Sequence, residues 1–263
     1  MKIGIIGQGA IGGYVRDKLN ERGHVLRAVL LRPERLRNRT TEPDGPLYVS
    51  TVGDLPDDIE HMIDCAGHLA LKSYGPDILR GGTDLTTLSI GALANPDLYQ
   101  DLERAATEGH AKLHLASGAI GALDCLRAAR VGTLHSVTYV GRKPPAGWKG
   151  SPAETKLDLD NLDDGARVHF EGTARVAATE YPKNANVAAA VALAGLGFDN
   201  TRVKLIADPD ILENIHEVQA TGEFGRFSFE IRGRSLPDNP KSSALAAMSV
   251  VSKLEQESQS ICF

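Results

Sequence analysis

Six consecutive residues near the start of the chain have the types and spacing that bind a phosphate group. Residues 7–12 read Gly-Gln-Gly-Ala-Ile-Gly and directly follow the β-branched run Lys2–Ile6. In the pattern Gly-x-Gly-x-x-Gly, the first glycine allows a tight turn, the second lets a pyrophosphate approach the backbone, and the third lets a helix pack closely on its strand. Free N–H groups at the start of that helix favour an anion. The residues predicted to bind a dinucleotide are Gly7, Gln8, Gly9, Ala10, Ile11 and Gly12.

The end of the second predicted strand determines which dinucleotide we expect. An acidic residue at this place would bind the ribose 2′-hydroxyl, but here the strand Val25–Leu31 is followed by Arg32 and, shortly after, by Arg35. A guanidinium pairs bidentately with phosphate oxygens, so Arg32 could bind a 2′-phosphate. A solvated basic loop explains the same residues equally well. The predicted coenzyme is therefore NAD or NADP.

A candidate proton-transfer residue lies in the second half of the chain. His216 falls in the alternating segment Ile215–Gln219, and imidazole can take up and return a proton near neutral pH. A histidine in such a strand is more often structural than catalytic, so the residue pattern alone leaves both roles open. Another histidine, His68, follows the third predicted strand, near the expected edge of the cofactor. We expect it to contact the cofactor together with Ala66 and Gly67.

Short polar segments at predicted helix starts are candidates for holding the substrate. Ser117, Gly118 and Ala119 follow a predicted strand and begin a predicted helix, so their N–H groups would form a second anion-binding helix start. An ordinary helix cap is the alternative. Amides at a helix start are usually caps, which fits Asn184. Ser242 is a candidate substrate contact, and the alternative is that it only caps the last helix.

The elements that must position these residues fall into two regions of different texture. In the first region, predicted strands cover 2–6, 25–31, 61–65, 84–90 and 112–116, and predicted helices cover 10–22, 69–80, 96–108 and 119–130. Strands that alternate with helices imply right-handed crossovers and a parallel sheet with helices on both faces. The predicted class of this region is α/β, with an N-terminal Rossmann doubly wound parallel sheet.

After Gly132 the chain no longer alternates between predicted strands and helices. Instead, several short segments alternate polar and apolar residues. Predicted strands cover 134–142, 203–207, 215–219 and 227–231, predicted helices cover 186–196 and 242–255, and residues 143–153 form a predicted Pro/Gly-rich loop. Such alternation is typical of antiparallel strands with one covered face. We predict a second α+β domain built on a mostly antiparallel sheet. The predicted domains are 1–126 for dinucleotide binding, with a C-terminal helix at 242–256 packing back on it, and 127–241 for catalysis and dimerisation.

Composition and charge argue against several functions. The 263 residues include 29 Lys and Arg against 34 Asp and Glu, and the net charge of −5 argues against binding nucleic acid through a basic surface. No run reaches the ~18 apolar residues of a membrane span. The three cysteines are an odd number without metal-ligand spacing, which favours a reducing compartment and no metal site. We therefore predict a cytoplasmic protein that binds no membrane and no metal.

Several stretches, in order along the chain, together resemble the L-aspartate dehydrogenase family, a relative of proteins with homoserine dehydrogenase-type folds. The stretches are Asp64–His68, Leu88–Leu93, Ala116–Asp124, Gly141–Pro145, Tyr181–Ala188, Ala207–Pro209, Asn214–His216 and Asn239–Ser243. The resemblance implies oxidation of L-aspartate, through an imine, to oxaloacetate and ammonia, with NAD(P) as the acceptor. In some members the imine instead supplies pyridine nucleotide biosynthesis.

The resemblance also implies roles for individual residues. It places the catalytic histidine at His216, a cofactor contact at Ala119 and a hydrogen bond between Asn186 and the cofactor. Lys183 and Lys241 are candidate partners for the substrate carboxylates, and Lys183 is also a candidate catalytic residue, although most lysines are merely solvated. The implied assembly is a homodimer, and symmetric pairs are the commonest assembly of soluble proteins.

Two alternatives keep the same dinucleotide-binding fold. One is another amino-acid or imine oxidoreductase, of the homoserine dehydrogenase or dihydrodipicolinate reductase kind, because loops and side chains rather than the fold set substrate choice. The other is a dinucleotide sensor without enzymatic activity, which leaves the region around His216 unexplained. Turnover of homoserine but not of L-aspartate would favour the first alternative, and tight cofactor binding without turnover would favour the second.

Overall fold

The computed structural model describes residues 1–37, 45–182, 184–237 and 239–261, without the side chains of Pro240 and Lys241. The chain divides into two compact units, which we call unit 1 (Met1–Ala116 with Ala247–Phe263) and unit 2 (Ser117–Ala246). Within the described ranges, every helix is too short or too polar to span a bilayer.

Unit 1 is built on a parallel sheet with the strand order β3-β2-β1-β4-β5-β6. Its strands are β1 (Lys2–Ile6), β2 (Val25–Leu30), β3 (Leu47–Val49), β4 (His61–Asp64), β5 (Asp84–Thr87) and β6 (Leu113–Leu115). Its helices are α1 (Ala10–Glu21), α2 (Pro33–Leu36), α3 (His68–Arg80), α4 (Pro96–Glu108) and most of α8 (Ala244–Ser258). The order runs outward in both directions from the neighbours β1 and β4, and the carboxyl ends of strands at such a switch point are where open α/β sheets bind ligands.

Local sequence accounts for the ends of the helices in unit 1. The side chain of Asn95 accepts hydrogen bonds from the backbone N–H groups of Asp97 and Leu98, at 2.9 and 3.1 Å, and Pro96 takes the first helical position of α4. The last helix, α8, is tied to this unit by an ion pair of 2.8 Å between Arg22 and Glu255. Helix α8 therefore packs mainly in unit 1, although it follows unit 2 in the sequence.

Unit 2 is built on a five-stranded sheet with the order β11-β10-β7-β9-β8. Its strands are β7 (Leu134–Lys143), β8 (Arg167–Thr173), β9 (Arg202–Ala207), β10 (Asn214–Gly222) and β11 (Gly225–Gly233), and a separate ribbon pairs β12 (Ser235–Leu236) with β13 (Asn239–Ser243). Its helices are α5 (Leu123–Ala129), α6 (Ala174–Glu180) and α7 (Asn186–Ala194). Among the strand pairs described in this sheet, only β7–β9 is parallel. The predicted fold class, a parallel Rossmann sheet followed by a mostly antiparallel α+β unit, is confirmed.

Several predicted elements differ from the structure. The helix predicted at 119–130 begins only at Leu123, because Gly118 and Ala122 have φ values of +71° and +60°, which a right-handed helix cannot include. The strand predicted at 84–90 ends at Thr87, and strand β8 and helix α6 were not predicted. The last helix begins at Ala244 rather than at Ser242, because residues 239–243 form β13.

Candidate active site

The glycine-rich turn in unit 1 is tightly packed against the neighbouring strand end. Gly7 has a φ of +89°, and a Cβ there would lie 2.8 Å from the Cβ of Ala66. A Cβ on Gly12 would lie 2.8 Å from the carbonyl oxygen of Gly7. In contrast, a Cβ on Gly9 would have no described atom within 4 Å. The turn therefore has no space for a side chain where it packs on the sheet, at Gly7 and Gly12. It has free space at Gly9, just before α1 begins.

A buried carboxylate shapes the loop beside this turn. Asp64, at the end of β4, is fully buried and accepts hydrogen bonds from the backbone N–H of Ala66 and the hydroxyls of Thr87 and Ser89, at 2.9, 2.8 and 2.5 Å. Burial raises the pKa of Asp64, and these hydrogen bonds oppose that effect. The loop then continues through Gly67, with a φ of +93°, to the start of α3. Asp64 thus joins the ends of β4 and β5 and fixes the backbone of the loop.

The residues of this edge fit a dinucleotide. Helix α1 begins at Ala10, and the preceding Gly9 provides no side-chain cap, so the first N–H groups of the helix are available to an anion. The side-chain oxygen of Gln8 is buried and has no hydrogen-bond partner within the described ranges, which is the condition of a group that a bound molecule would satisfy. Ala66 lies beside this turn, His68 begins α3, and Arg32 is exposed at the end of β2. Together these residues can hold a pyrophosphate and a ribose.

Two neighbouring strands of unit 2 bring a tyrosine and a histidine together. In the antiparallel pairing of β7 with β10, His216 lies opposite Gly141, and Val218 lies opposite Tyr139. The Tyr139 hydroxyl and the Nδ1 atom of His216 are 2.7 Å apart and form a hydrogen bond. A Cβ on Gly141 would come within 2.7 Å of that hydroxyl oxygen. The missing side chain at Gly141 therefore leaves the space that the tyrosine crosses to reach the histidine.

Burial controls the protonation of this pair. His216 is 4% exposed and Tyr139 is 1% exposed. Burial, and secondarily the nearby charge of Lys143, lowers the pKa of His216 to about 3, while burial raises the pKa of Tyr139. The imidazole is therefore neutral and the phenol is protonated at neutral pH. Because a hydroxyl both donates and accepts, Tyr139 can stay bonded to Nδ1 whichever way a proton moves at Nε2.

A lysine lies at the end of the same face of β7. Tyr139, Gly141 and Lys143 alternate along the strand, so their side-chain positions share one face. The Lys143 ammonium donates a hydrogen bond of 2.7 Å to the side-chain oxygen of Asn184 and lies 5.0 Å from the centre of the Trp148 ring. Burial lowers the pKa of Lys143 to about 8. The strand thus places a cation close enough to His216 to affect its protonation.

Aromatic side chains form a rigid wall beside the lysine. Trp148 is fully buried and donates a hydrogen bond of 2.9 Å from its indole nitrogen to the carbonyl oxygen of Ile206. Its ring packs edge-on against His169 at a centroid distance of 4.3 Å. The Nδ1 atom of His169 in turn lies 3.2 Å from the hydroxyl oxygen of Tyr181. These contacts fix one boundary of the space around Lys143.

The other predicted site residues lie in three kinds of local structure: a turn, a helix start and a strand. Ser117, Gly118 and Ala119 form a turn and not a helix start, so the predicted anion-binding helix terminus there is wrong. Asn186 is the first residue of α7. Ser242 lies in β13 and accepts a hydrogen bond of 2.9 Å from the side chain of Asn239.

Further outcomes concern the helix caps and two lysines. Ser242 does not cap α8, because Ser243 accepts the hydrogen bond from the N–H of Ala246, at 3.4 Å. Asn184 does not cap α7, because its side-chain oxygen accepts from Lys143 and the residue before the helix is Ala185. Lys183 and the side chain of Lys241 lie outside the described residues.

We call Tyr139, Lys143, Asn184 and His216 the His216 cluster. Sequence reasoning missed three of its members: Tyr139, Lys143 and Asn184. The sequence predicts a loop at 143–153, whereas β7 continues through Lys143. The available signal was the period of two that runs from Val137 through Tyr139 and Gly141 to Lys143. The link to His216 depends on the pairing of β7 with β10, which brings together residues 77 positions apart.

Comparisons with known proteins agree along the whole chain. The family described as "Homoserine dehydrogenase, NAD binding domain" matches residues 7–116, and the family described as "Aspartate dehydrogenase, C-terminal" matches residues 124–257. The L-aspartate dehydrogenase of Ruegeria pomeroyi is 49% identical over 99% of this chain and 94% of its own length. That of Pseudomonas aeruginosa is 44% identical over 99% of both chains.

A solved structure supports the same assignment. The crystal structure of aspartate dehydrogenase from Thermotoga maritima matches with a TM-score of 0.77 and 27% identity, covering 100% of this chain and 99% of that chain. Dihydrodipicolinate reductase from Paenisporosarcina shares only the fold, at 12% identity and a TM-score of 0.54 over 97% of this chain and 92% of that chain. From the two family matches and the identity of 44–49% over nearly the full length, we conclude that this chain belongs to the L-aspartate dehydrogenase family.

Proposed function

We propose that this protein is an NAD(P)-dependent L-aspartate dehydrogenase, an oxidoreductase that acts on the CH–NH2 group of L-aspartate. The reaction gives iminoaspartate, which water converts to oxaloacetate and ammonia. The observation that carries the proposal is the buried Tyr139–His216 pair in a chain that is 49% identical to a named L-aspartate dehydrogenase. A protonatable ring of this kind is what an amine oxidation needs in addition to a hydride acceptor.

The coenzyme, when bound, accepts the hydride that leaves the Cα atom of the substrate. In this proposal residues 1–126 form the coenzyme-binding domain and residues 127–241 form the catalytic domain. The residues that hold the coenzyme are Gly7, Gln8, Gly9, Ala10, Ile11, Gly12, Arg32, Ala66, Gly67, His68, Ala119 and Asn186. The open side of the turn at Gly9 supports the pyrophosphate part of this assignment. The unsatisfied side-chain oxygen of Gln8 is a hydrogen-bond acceptor, so it suits a hydroxyl or amide donor of the coenzyme instead.

His216 has the role of proton carrier and water-orienting group. The amine must lose a proton as the C–N bond becomes an imine, and water must lose one as the imine is hydrolysed. The neutral ring can take a proton at Nε2 while Nδ1 stays bonded to Tyr139. A substrate carboxylate nearby would oppose the effect of burial and raise the pKa of His216 toward the range where imidazole exchanges protons.

Other predicted residues keep proposed roles in substrate binding. Ser117 and Gly118 would present backbone N–H groups from their turn, and Ser242 would present its hydroxyl. Lys183 and Lys241 are proposed partners of the substrate carboxylates, and Lys183 is in addition a proposed catalytic residue. These roles rest on the family resemblance and on the chemistry of the residue types.

The finer features of the proposal are the choice of coenzyme, the fate of the imine, the assembly and the compartment. Arg32 supports use of NADP as well as NAD, because no acidic residue occupies its place. The imine can alternatively serve pyridine nucleotide biosynthesis. We further propose a cytoplasmic homodimer, since the family resemblance implies a pair and the cysteine content suits a reducing compartment. Sedimentation velocity measures the assembly directly.

An amino-acid panel tests the proposed function. The purified protein is mixed with NAD or NADP and with L-aspartate, L-homoserine, L-alanine, L-asparagine or L-glutamate, and the absorbance of NAD(P)H is followed. We expect turnover with L-aspartate and little with the others. Turnover of L-homoserine without L-aspartate, or coenzyme binding without any turnover, would refute the proposal.

A further inference from the structure

Lys143 is the cation of the His216 cluster for which the structure shows no anionic partner. Its ammonium forms one hydrogen bond, to the neutral Asn184, and within the described residues no carboxylate forms an ion pair with it. The neighbouring Arg142 differs, because it is paired with Asp208 at 2.8 Å. A partly buried charge without a counter-ion is costly, and burial lowers the pKa of Lys143 accordingly.

The surroundings of Lys143 hold it in place without neutralising it. The side-chain oxygen of Asn184 orients the ammonium, and the Trp148 ring offers its negative face at 5.0 Å. Burial lowers the pKa of both His216 and His169, so both rings are neutral at pH 7. Positive charge is therefore present at Lys143 and also at Lys156, whose ammonium lies 3.4 Å from the Tyr181 hydroxyl. Lys143 is the lysine whose direction Asn184 fixes beside His216.

From this arrangement we propose that Lys143, oriented by Asn184, binds a carboxylate of the dicarboxylic substrate beside His216. This inference rests on the proposed function, since it assigns the substrate contact of the same reaction. An ammonium donates three hydrogen bonds, and Asn184 accepts only one of them. A bound carboxylate supplies the missing negative charge. Asn184 acts as the positioning residue because it touches the lysine and not the reacting atoms.

The test measures binding of succinate, a dicarboxylate without an amine, by calorimetry in the presence and absence of NAD. Lys143→Met keeps an unbranched apolar side chain of nearly the same length and removes the ammonium group. We expect it to weaken succinate binding and raise the KM for L-aspartate by about 30-fold or more, the effect of truncating one partner of a buried charge pair. NAD affinity should not change. Lys143→Arg, which keeps the charge, should retain part of the succinate affinity.

Two further variants make the result specific. Asn184→Asp would place a carboxylate at hydrogen-bond distance from the ammonium, so we expect an internal ion pair that competes with succinate and L-aspartate while the lysine remains. Lys204→Met is the matched control. Lys204, on β9, lies opposite Val140 of β7, and Val140 faces the other side of the sheet from Lys143. This control should bind succinate as the wild type does. If Lys143→Met failed to fold, Asn184→Asp would decide the question.

Failure of this inference is distinguishable from failure of the proposed function. If the wild type did not oxidise L-aspartate, the proposed function would be wrong. If the wild type oxidised L-aspartate, and Lys143→Met and Asn184→Asp both kept wild-type KM and succinate affinity, only the role of Lys143 would be overturned. If only NAD affinity fell, Lys143 would belong to the coenzyme site and the inference would also be overturned.

Discussion

In the proposed function, a single buried ring, that of His216, carries the acid–base chemistry. His216 is neutral because burial lowers its pKa, and its partner is the hydroxyl of Tyr139 rather than a carboxylate. A carboxylate on Nδ1 would hold the ring in one tautomer and favour its charged form. A hydroxyl allows either tautomer, so proton exchange at Nε2 does not require the ring to lose its support.

Replacement of His216 tests this role. In the variant His216→Ala we expect kcat for L-aspartate to fall by about 10²–10⁴-fold, the usual contribution of general acid–base catalysis. NAD affinity should barely change, since the turn at residues 7–12 is untouched. Steady-state kinetics and coenzyme titration measure the two quantities. His135→Ala, at an exposed position on β7, is the control and should keep wild-type kcat. Near-normal turnover in His216→Ala would show that the assigned role is wrong.

We propose that one residue, Arg32, also governs the coenzyme preference. Arg32 is exposed where β2 ends, and its guanidinium suits a 2′-phosphate. We expect Arg32→Asp to weaken NADP binding by about 10- to 100-fold, the value of a charge-assisted hydrogen bond of about 1.5–3 kcal/mol. NAD binding, measured in the same titration, serves as the control and should change much less. Equal losses for both coenzymes would remove the argument for a 2′-phosphate contact.

At the scale of elements, the site depends on the register between β7 and β10. This register sets Gly141 opposite His216, and the absent side chain leaves room for the Tyr139 hydroxyl. Because a shift by one residue would turn every side chain of a strand to the other face, the pairing determines which residues meet. The five-stranded sheet is thus the scaffold of the proposed proton-transfer site.

The variant Gly141→Ala tests this packing. Its methyl group would displace the Tyr139 hydroxyl, and we expect kcat to fall by about tenfold, the equivalent of one lost hydrogen bond of about 1.4 kcal/mol. Tyr139→Phe should lower kcat to a similar extent, and the double variant should be no slower than either single one, because both remove the same contact. Gly233→Ala is the control, since a Cβ there would meet its nearest atom only at 3.8 Å. Additive losses in the double variant would contradict the account.

Local patterns predicted most elements, and the exceptions have physical causes. The run at residues 2–12 signals strand, turn and helix through neighbouring residues alone. The left-handed conformation of Ala122 has no such signal, because alanine ordinarily favours a right-handed helix, and the predicted helix start at 119 was therefore wrong. Strand β8 was missed because its alternation is short: Arg167–Thr173 contains only two large apolar residues, Val168 and Phe170. The residue pattern leaves both a structural and a catalytic role open for His216, and the family resemblance favours the catalytic one. Lys143 was missed because its hydrogen-bond partner Asn184 lies 41 positions away along the chain.

At the scale of the whole molecule, buried neutral histidines make stability depend on pH. Burial lowers the pKa of His61 and His169 to about 4 and that of His216 to about 3. Since these folded-state values lie below the unfolded value of 6.5, the stabilisation is fully present above pH 6.5. It is lost as the pH falls from there through the folded-state values, because the unfolded chain binds protons first.

Urea unfolding at pH 7 and pH 5 measures this dependence. We expect the free energy of unfolding to be lower at pH 5 than at pH 7. Each histidine contributes up to about 3 kcal/mol over the full pH range between its unfolded and folded pKa values. His61→Gln can keep the contact with Thr86, 2.7 Å from His61 Nε2, and cannot take up the proton, so its loss between the two pH values should be smaller. His135→Gln, at an exposed site, is the control. Equal losses for the wild type and His61→Gln would exclude His61 as a source of the dependence.

The most direct measurement uses L-aspartate deuterated at Cα. The protein is incubated with this substrate and NAD or NADP, and the reduced coenzyme and the carbon product are analysed by mass spectrometry. We predict that the reduced coenzyme carries the deuterium and that oxaloacetate and ammonia form in equal amounts. Reduced coenzyme without deuterium, or no reduction with L-aspartate at all, would contradict transfer of a hydride from the Cα of L-aspartate.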